Sequence, residues 1–246
     1  MMKFGLIGSP ISKSLSPKIH KALMEKNGIN GTYSLIKISA IPEKKFLYNF
    51  NGLNVTIPLK EKILVHIDVK DYSVNKTGAS NTLFINKNKI YGYNTDYLAI
   101  VELINRKKLF PESVLVIGAG GAARAAIAAL KNFGTEIIHI KNRSVKKINN
   151  VIKDFSIEIG DFSNYEMVIN GIPPAGDEYL EKILKNISFR MYVDFNYFEK
   201  SPLKKIAEEN YINGIDGIEI LLLQAKKSQE IWNNRKLKDI YLEDLI

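Results

Sequence analysis

Hydroxyl, amide, amine and carboxylate side chains gather in a few short segments of the first half of the chain. Gly8-Ser9-Pro10-Ile11-Ser12-Lys13-Ser14-Leu15-Ser16-Pro17 sets hydroxyls two residues apart beside a helix start. Serine hydroxyls and the free N–H groups of a helix N-terminus together suit a carboxylate. Ser16 serves equally well as a plain N-cap, and the residues alone leave both open. Asn54-Val55-Thr56-Ile57-Pro58-Leu59-Lys60 delivers a hydroxyl and an amine just past an apolar strand, where a lone lysine is commonly a solvated helix start. Ser80-Asn81-Thr82 and Asn94-Thr95-Asp96 add amides and a carboxylate, although Asp96 by itself reads most simply as a helix N-cap. These segments fall where strands end, the edge at which α/β proteins place ligands, and their residue types converge on a hydroxylated anion.

A different chemistry is written in the second half. Val114-Leu115-Val116-Ile117 runs into Gly118-Ala119-Gly120-Gly121-Ala122 and then an alanine-rich helix. Glycines after a buried strand allow a tight turn and close backbone approach, and the helix then offers free N–H groups to a pyrophosphate. Ala122, near the position of the third glycine, still permits close helix packing. The next apolar run, Ile137-Ile138-His139-Ile140, leads through Lys141 into Asn142-Arg143-Ser144-Val145-Lys146-Lys147. An NAD site wants an acidic side chain at this strand tip for the ribose 2′-hydroxyl, and none is present. Arg143 and Lys147 offer charge and Asn142 and Ser144 offer hydrogen bonds, a set suited to a 2′-phosphate. The pattern therefore points to NADP; a solvated basic helix start is the plainer alternative.

The elements that position these groups alternate between β-rich and amphipathic runs, the pattern of an α/β protein with mainly parallel sheets. Strands are expected at Lys3–Ile7, Thr32–Ile38, Leu53–Thr56, Ser80–Ile85, Ile90–Tyr93, Val114–Ile117, Ile137–Ile140, Met167–Asn170 and Tyr192–Asp194. Ser16 and Pro17 read as the N-cap and first residue of a helix closed by Asn27-Gly28. Further helices are expected from Asp96, from Gly121 to Phe133 and from Ile218 to Trp232. The polar, basic stretch Asn105–Pro111 places a domain change in the helix that begins at Asp96, and the last helix returns to the first domain.

Composition excludes several classes. Among 246 residues there is no cysteine, which removes disulfides, thiolate chemistry and cysteine metal sites. The histidines, His20, His66 and His139, have no metal-like spacing. Lys and Arg number 35 against 26 acidic residues, a formal charge of +9. The basic residues are interspersed with acidic ones and form no arm or aromatic-interleaved patch, so the excess favours small anionic ligands over nucleic acid. No segment is long and apolar enough for a bilayer or shaped as a signal peptide. A cytoplasmic protein, monomer or homodimer, without nucleic-acid or membrane partners is expected.

Taken together, Ser14-Leu15-Ser16-Pro17, Asn54 to Lys60, Asn81-Thr82-Leu83, Asn94-Thr95-Asp96 and Gly118 to Ala122 stand in the order and approximate spacing of the shikimate dehydrogenase family, which the chain resembles over essentially its whole length. Asp194-Phe195-Asn196-Tyr197, Ser201-Pro202 and Gln224-Ala225 before Trp232 are similar to family positions too. The resemblance implies an α/β fold of two domains: a substrate-binding and catalytic domain of residues 1–97 plus 218–246, and a Rossmann-like NADP-binding domain of residues 98–217. It implies reversible NADPH-dependent reduction of 3-dehydroshikimate to shikimate, in the biosynthesis of chorismate and aromatic amino acids. Lys60 and Asp96 are then the catalytic pair, with Lys60 the proton carrier and Asp96 orienting it. Ser14 and Ser16 bind the substrate carboxylate, while Thr56, Asn81, Tyr197 and Gln224 hold the ring and its hydroxyls. Gly118, Ala119, Gly120, Gly121 and Ala122 take the pyrophosphate, Asn142, Arg143, Ser144 and Lys147 the adenosine phosphate, and Phe195 and Gly217 line the nicotinamide.

The chain departs from the family pattern in places. Lys13 stands where histidine is common, Ala99 where glycine is frequent, and Ile220 where methionine is frequent. Asn170-Gly171-Ile172-Pro173 lacks the hydroxyl of Asn-x-Thr/Ser-Pro, and the chain runs one residue short between Tyr197 and Ser201. Two other readings are a quinate/shikimate dehydrogenase of broader specificity and a non-catalytic homologue that senses shikimate or NADP; retention of both Lys60 and Asp96 argues against the sensor. A generic Rossmann protein of nucleic-acid metabolism lacks any groove-reading element.

Overall fold

Apolar runs punctuated by glycine and asparagine turns build two separate β-sheets, one in each of two compact units. The computed structural model describes residues 1–197 and 201–245. One unit comprises Met1–Leu98 and Leu221–Ile246, the other Ala99–Ile220.

The first unit contains β1 (Met2–Gly8), α1 (Ser16–Lys26), β2 (Gly31–Lys37), α2 (Lys44–Leu47), β3 (Gly52–Val55), β4 (Val69–Lys70), α3 (Tyr72–Thr77), β5 (Thr82–Asn86) and β6 (Lys89–Tyr93). Its strands lie in the order β2-β1-β3-β5-β6-β4. β1 pairs in parallel with β2 and β3, and β4 with β6, whereas β3–β5 and β5–β6 are antiparallel. This sheet is mixed because β5 and β6 form a hairpin: Lys87 and Asn88 carry φ of +47° and +58° in a two-residue loop, the geometry that matches strand twist. Apolar side chains fill both faces. Ile7, Leu53, Val55, Leu83 and Ile90 pack with Leu47 of α2 on one side. Phe4 stacks on Trp232 at 4.7 Å, and α1 supplies Met24, Ile19 and Leu23 on the other.

The α1 boundary differs from expectation. Ser16 is the first helical residue, not the cap, and its N–H is received by the Ser14 hydroxyl at 3.2 Å. The two-residue β4 is too short to show any periodicity, and a hydropathy pattern does not reveal it.

α4 (Thr95–Lys107) leads out of the first unit. The second unit then alternates β7 (Ser113–Ile117), α5 (Gly121–Asn132), β8 (Ile137–Lys141), α6 (Val145–Phe155), β9 (Met167–Asn170), α7 (Asp177–Leu184), β10 (Met191–Asp194), α8 (Pro202–Glu209) and β11 (Asn213–Ile215). Its sheet is parallel throughout, ordered β11-β10-β9-β7-β8. Strand order therefore reverses at β7, and the crevice beyond its carboxyl end is where such sheets take ligands. Ala123 to Leu130 of α5 are all buried, small side chains letting the helix lie close to the sheet. Arg124 within that run is balanced by Asp154 of α6 at 2.6 Å and lies over the Phe155 ring. α9 (Gly217–Asn233) returns the chain to the first unit.

Candidate active site

Lys60 follows the buried Leu59 in the turn after β3, and its backbone carbonyl accepts the Ser80 N–H at 2.8 Å. Its ammonium meets the Asp96 carboxylate at 2.6 Å, and the two side chains keep only 17% and 11% of their exposure. A charge pair this shielded is held by its partners and not by chance encounter. Asp96 is free for this contact because it is not the helix cap. Asn94 caps α4, its side-chain oxygen accepting the Tyr97 N–H at 3.0 Å while its NH₂ donates to Thr77 Oγ1 and the Ala79 carbonyl, each at 3.0 Å. With the cap assigned elsewhere, the first-turn carboxylate points to the lysine.

Asn81 and Gln224 are joined in one hydrogen-bonded network through Thr95, the residue before Asp96. The Asn81 side-chain oxygen accepts the Thr95 N–H at 2.7 Å and is approached by the Thr95 and Thr82 hydroxyls at 3.1 Å. Its oxygen is thereby saturated, and its NH₂ is the group left for a ligand. Gln224 donates to the Leu221 carbonyl at 3.0 Å and accepts from Thr95 Oγ1 at 3.3 Å. Thr56, half-buried at the end of β3, is tied through its N–H to the Ile7 carbonyl. Ser14 and Ser16 lie 3.1 Å apart, oxygen to oxygen. Lys13 is exposed.

Next to the serines, Asn54, Thr82 and Thr95 of the polar segments join three residues that the sequence pattern does not single out: His20 and Ser228, both buried, and the half-buried Tyr33. The Tyr33 hydroxyl donates to Asn54 Oδ1 at 2.8 Å and is pushed far above its usual titration range by burial. His20 stacks on Tyr33 with ring centroids 4.0 Å apart. The Gln229 NH₂ faces His20 Nδ1 at 3.0 Å while the Gln229 oxygen accepts from Asn233, so Nδ1 is the acceptor and the ring proton rests on Nε2. Burial drives the His20 pKa down to about 3. The neutral folded form gives stability that is complete above about 6.5, the pKa of an unfolded histidine. That stability is lost as pH falls toward 3, because the unfolded chain gains a proton the folded one refuses. We expect the stability of the wild type, read from urea midpoints, to fall about 2 kcal/mol further than that of His20→Asn between pH 6.5 and 4.5. Parallel pH curves would contradict this.

In the second unit, Gly118 leaves β7 with φ +122°, and an added Cβ would lie 2.9 Å from the backbone of Gly171. Gly120 is the N-cap of α5 with no side-chain hydrogen bond, and nothing stands within 4 Å of its Cβ position. Open space over unclaimed backbone donors, Gly120 to Ala122, fits a pyrophosphate. At the end of β8, Arg143, Lys146 and Lys147 are exposed, and Ser144 caps α6 by accepting the Lys147 N–H. Asn142 donates to the Ser144 carbonyl at 3.3 Å. The nearby acidic side chain Asp161 is paired with Lys141 at 2.6 Å.

The Asn170–Pro173 segment explains the departure read from the sequence. Ile172 is buried with Leu115, Ile117 and Leu180, so the side chain in the place of a hydroxyl turns into the core. Asn170 takes over the polar work: it donates to Asp194 at 3.0 Å, and its side-chain oxygen accepts the Ile172 N–H. Phe195 N–H donates to the Asn170 carbonyl at 3.0 Å, and Gly217 abuts the Asn196 carbonyl, where a Cβ would come within 2.4 Å. Phe195, Tyr197 and Gly217 thus belong to the carboxyl edge of the second sheet, whereas the other substrate-contact candidates belong to the first unit. The shortened stretch after Tyr197, residues 198–200, lies outside the described residues. Among the described residues there is no cluster of potential metal ligands, and no helix is long and apolar enough to cross a membrane.

Residues 6–83 match the family model described as shikimate dehydrogenase substrate binding domain, and residues 102–172 that of shikimate/quinate 5-dehydrogenase. The chain is 34% identical to a shikimate dehydrogenase (NADP(+)) of Clostridium perfringens, over 96% of this chain and 94% of that protein. A crystal structure of shikimate dehydrogenase from Aquifex aeolicus superposes with TM-score 0.83 at 28% identity, covering 100% of this chain and 96% of that one. A shikimate dehydrogenase solved in complex with NADP+ gives TM-score 0.81 at 26% identity, covering 100% and 93%. At 34% identity to the Clostridium perfringens protein over nearly the full length of both chains, the chain belongs to the shikimate dehydrogenase family.

Proposed function

We propose that this protein is an NADP-dependent oxidoreductase that interconverts shikimate and 3-dehydroshikimate, with Lys60 and Asp96 at its centre. The observation that carries the reading is the shielded 2.6 Å contact between the two, set beside an amide pair with fixed donor and acceptor faces. In this reading Ser14 and Ser16 donate to the substrate carboxylate. Asn81 donates to a ring hydroxyl, and Gln224 meets another. Thr56 and Tyr197 complete the ring contacts. During reduction the Lys60 ammonium delivers a proton to the oxygen that becomes the new hydroxyl; in oxidation the neutral amine recovers it. Asp96 holds the amine in place and accepts a hydrogen bond from the same hydroxyl.

A bound nicotinamide supplies or removes the hydride, and this chain's residues bind and orient it. The free N–H groups of Gly120 to Ala122 would receive the pyrophosphate. Arg143 and Lys147 would face the 2′-phosphate, with Asn142 and Ser144 beside it, and Phe195 and Gly217 the nicotinamide.

The test is the absorbance change of the nicotinamide with shikimate as substrate, run with NADP+ and with NAD+. Turnover with NADP+ well above NAD+ supports the reading, and no turnover with either defeats it. The ratio of kcat/KM for shikimate over quinate measures how strictly the ring is read. For Arg143→Ala, we expect the KM for NADP+ to rise roughly 10- to 100-fold, the worth of a charge-assisted contact to phosphate, and that for NAD+ by less than about 2-fold. Equal rises for both cofactors would remove the 2′-phosphate assignment.

A further inference from the structure

Ser228 of α9 is fully buried, and its hydroxyl meets groups from three other elements of the first unit. It donates back along its own helix to the Gln224 carbonyl at 2.9 Å. That leaves its oxygen as an acceptor, and three groups converge on it: Asn54 Nδ2 at 2.9 Å, Thr82 Oγ1 at 2.9 Å and Thr95 Oγ1 at 3.2 Å. Those partners come from β3, β5 and the start of α4, so one hydroxyl joins the last long helix to two strands and to the helix bearing Asp96. One helical turn before it, on the same face, stands Gln224.

Counting protons shows what the node decides. The Asn54 NH₂ has two, directed among Ser228, Thr82 Oγ1 at 3.1 Å and the Asn81 carbonyl at 3.3 Å. Thr82 and Thr95 have one each, to be shared among Ser228, the Asn81 and Gln224 side-chain oxygens and each other, their hydroxyls lying 3.0 Å apart. With Ser228 accepting one of these, the other is left for Asn81, Gln224 or the neighbouring threonine oxygen. The Thr95 N–H already holds the Asn81 oxygen, so Asn81 always presents its NH₂ outward.

We propose that Ser228 is a positioning residue for substrate discrimination: it seats α9 on the sheet so that Gln224 and Asn81 meet a polyhydroxylated ring acid with fixed acceptor and donor faces. This rests on the assignment of Asn81 and Gln224 to the ring, and it adds a residue that touches no substrate. Without the Ser228 oxygen, the Thr82 and Thr95 protons turn to the Asn81 and Gln224 oxygens, and α9 loses its polar tie to β3 and β5.

The experiment is a double-mutant cycle on the full chain. Ser228→Ala is expected to raise the KM for shikimate about tenfold, the consequence of stranding buried donors, with kcat and the KM for NADP+ each changed less than about 2-fold. Combined with Gln224→Ala, it should add little, because both act through one contact. Thr82→Val removes the partner on the sheet while keeping volume, and it should show the same split between KM and kcat even if Ser228→Ala does not fold. Additive effects in the cycle, or a fall in kcat and in NADP+ affinity equal to the change in the shikimate KM, would overturn the proposal. Absence of shikimate turnover in the wild type would instead overturn the functional assignment on which it rests.

Discussion

Replacing Lys60 by alanine is expected to lower kcat for shikimate oxidation by roughly 10²- to 10⁴-fold, the range of a lost proton-transfer group, while the KM for NADP+ stays within about 2-fold. Lys60 belongs to the first unit and the glycine-rich turn to the second, so the two losses should separate. The substitution also leaves the Asp96 carboxylate, with 11% of its side chain exposed, without its cation. A buried charge stripped of its partner destabilises a fold, so thermal midpoints must be recorded beside the rates. Lys60→Met, which keeps the stem's volume, should fail catalytically in the same way. Single-turnover measurement with saturating substrate isolates the chemical step; a folded variant with near-normal turnover would show that Lys60 is not the proton carrier.

The second large effect concerns Gly118→Ala. At φ +122° an L-residue is strained, at a cost of roughly 1–3 kcal/mol. Its Cβ would also lie 2.9 Å from the carbonyl carbon and oxygen of Gly171 and 3.2 Å from Ile172 Cγ2. The backbone must move, and with it the donors at the start of α5. We expect the KM for NADP+ to rise at least about 30-fold, more than 2 kcal/mol of lost binding. Shikimate should still raise the thermal midpoint, because its proposed contacts in the first unit are untouched. Gly120→Ala makes a useful contrast: φ is −99° and nothing crowds the new methyl, so stability should hold and only cofactor approach should suffer. A Gly118→Ala protein with wild-type NADP+ affinity would remove the pyrophosphate assignment.

How far a sequence can be read here depends on what fixes each feature. The strands at Lys3–Ile7, Met167–Asn170 and Tyr192–Asp194 are legible because β-branched and apolar runs bounded by turn residues have few other uses. The position of the Gly118 turn, between a buried strand and an alanine-rich helix, is legible for the same reason. The mixed pairing of the first sheet is harder to read: it turns on Lys87-Asn88, which lacks the glycine that usually announces such a hairpin. Caps are decided by competition among neighbours. Asp96 and Asn94 are both acceptable caps in isolation, and only the contacts of Asn94 with Thr77 and Ala79 show which serves. The Ser228 node is invisible along the chain, since its partners lie up to 174 residues away. Ile172 shows the converse: its departure from the family pattern is plain in the sequence, but its inward turn is a property of packing.

The route of the chain through its two units bears on how the protein is made. Residues 99–220 form one unbroken unit, whereas the other is built from the beginning and the end of the chain. When the ribosome has released residue 220, the second unit has every strand it needs. The substrate-side unit still lacks Trp232, whose indole donates to the Leu83 carbonyl at 2.8 Å and stacks on Phe4, and it lacks Gln224 and Ser228 as well. Since domains tend to fold as their sequence emerges, the later-completed unit is the one that begins first. Until α9 arrives its sheet has α1 on that face but lacks the indole that covers Phe4, so the apolar surface there is only half covered while the chain is being made.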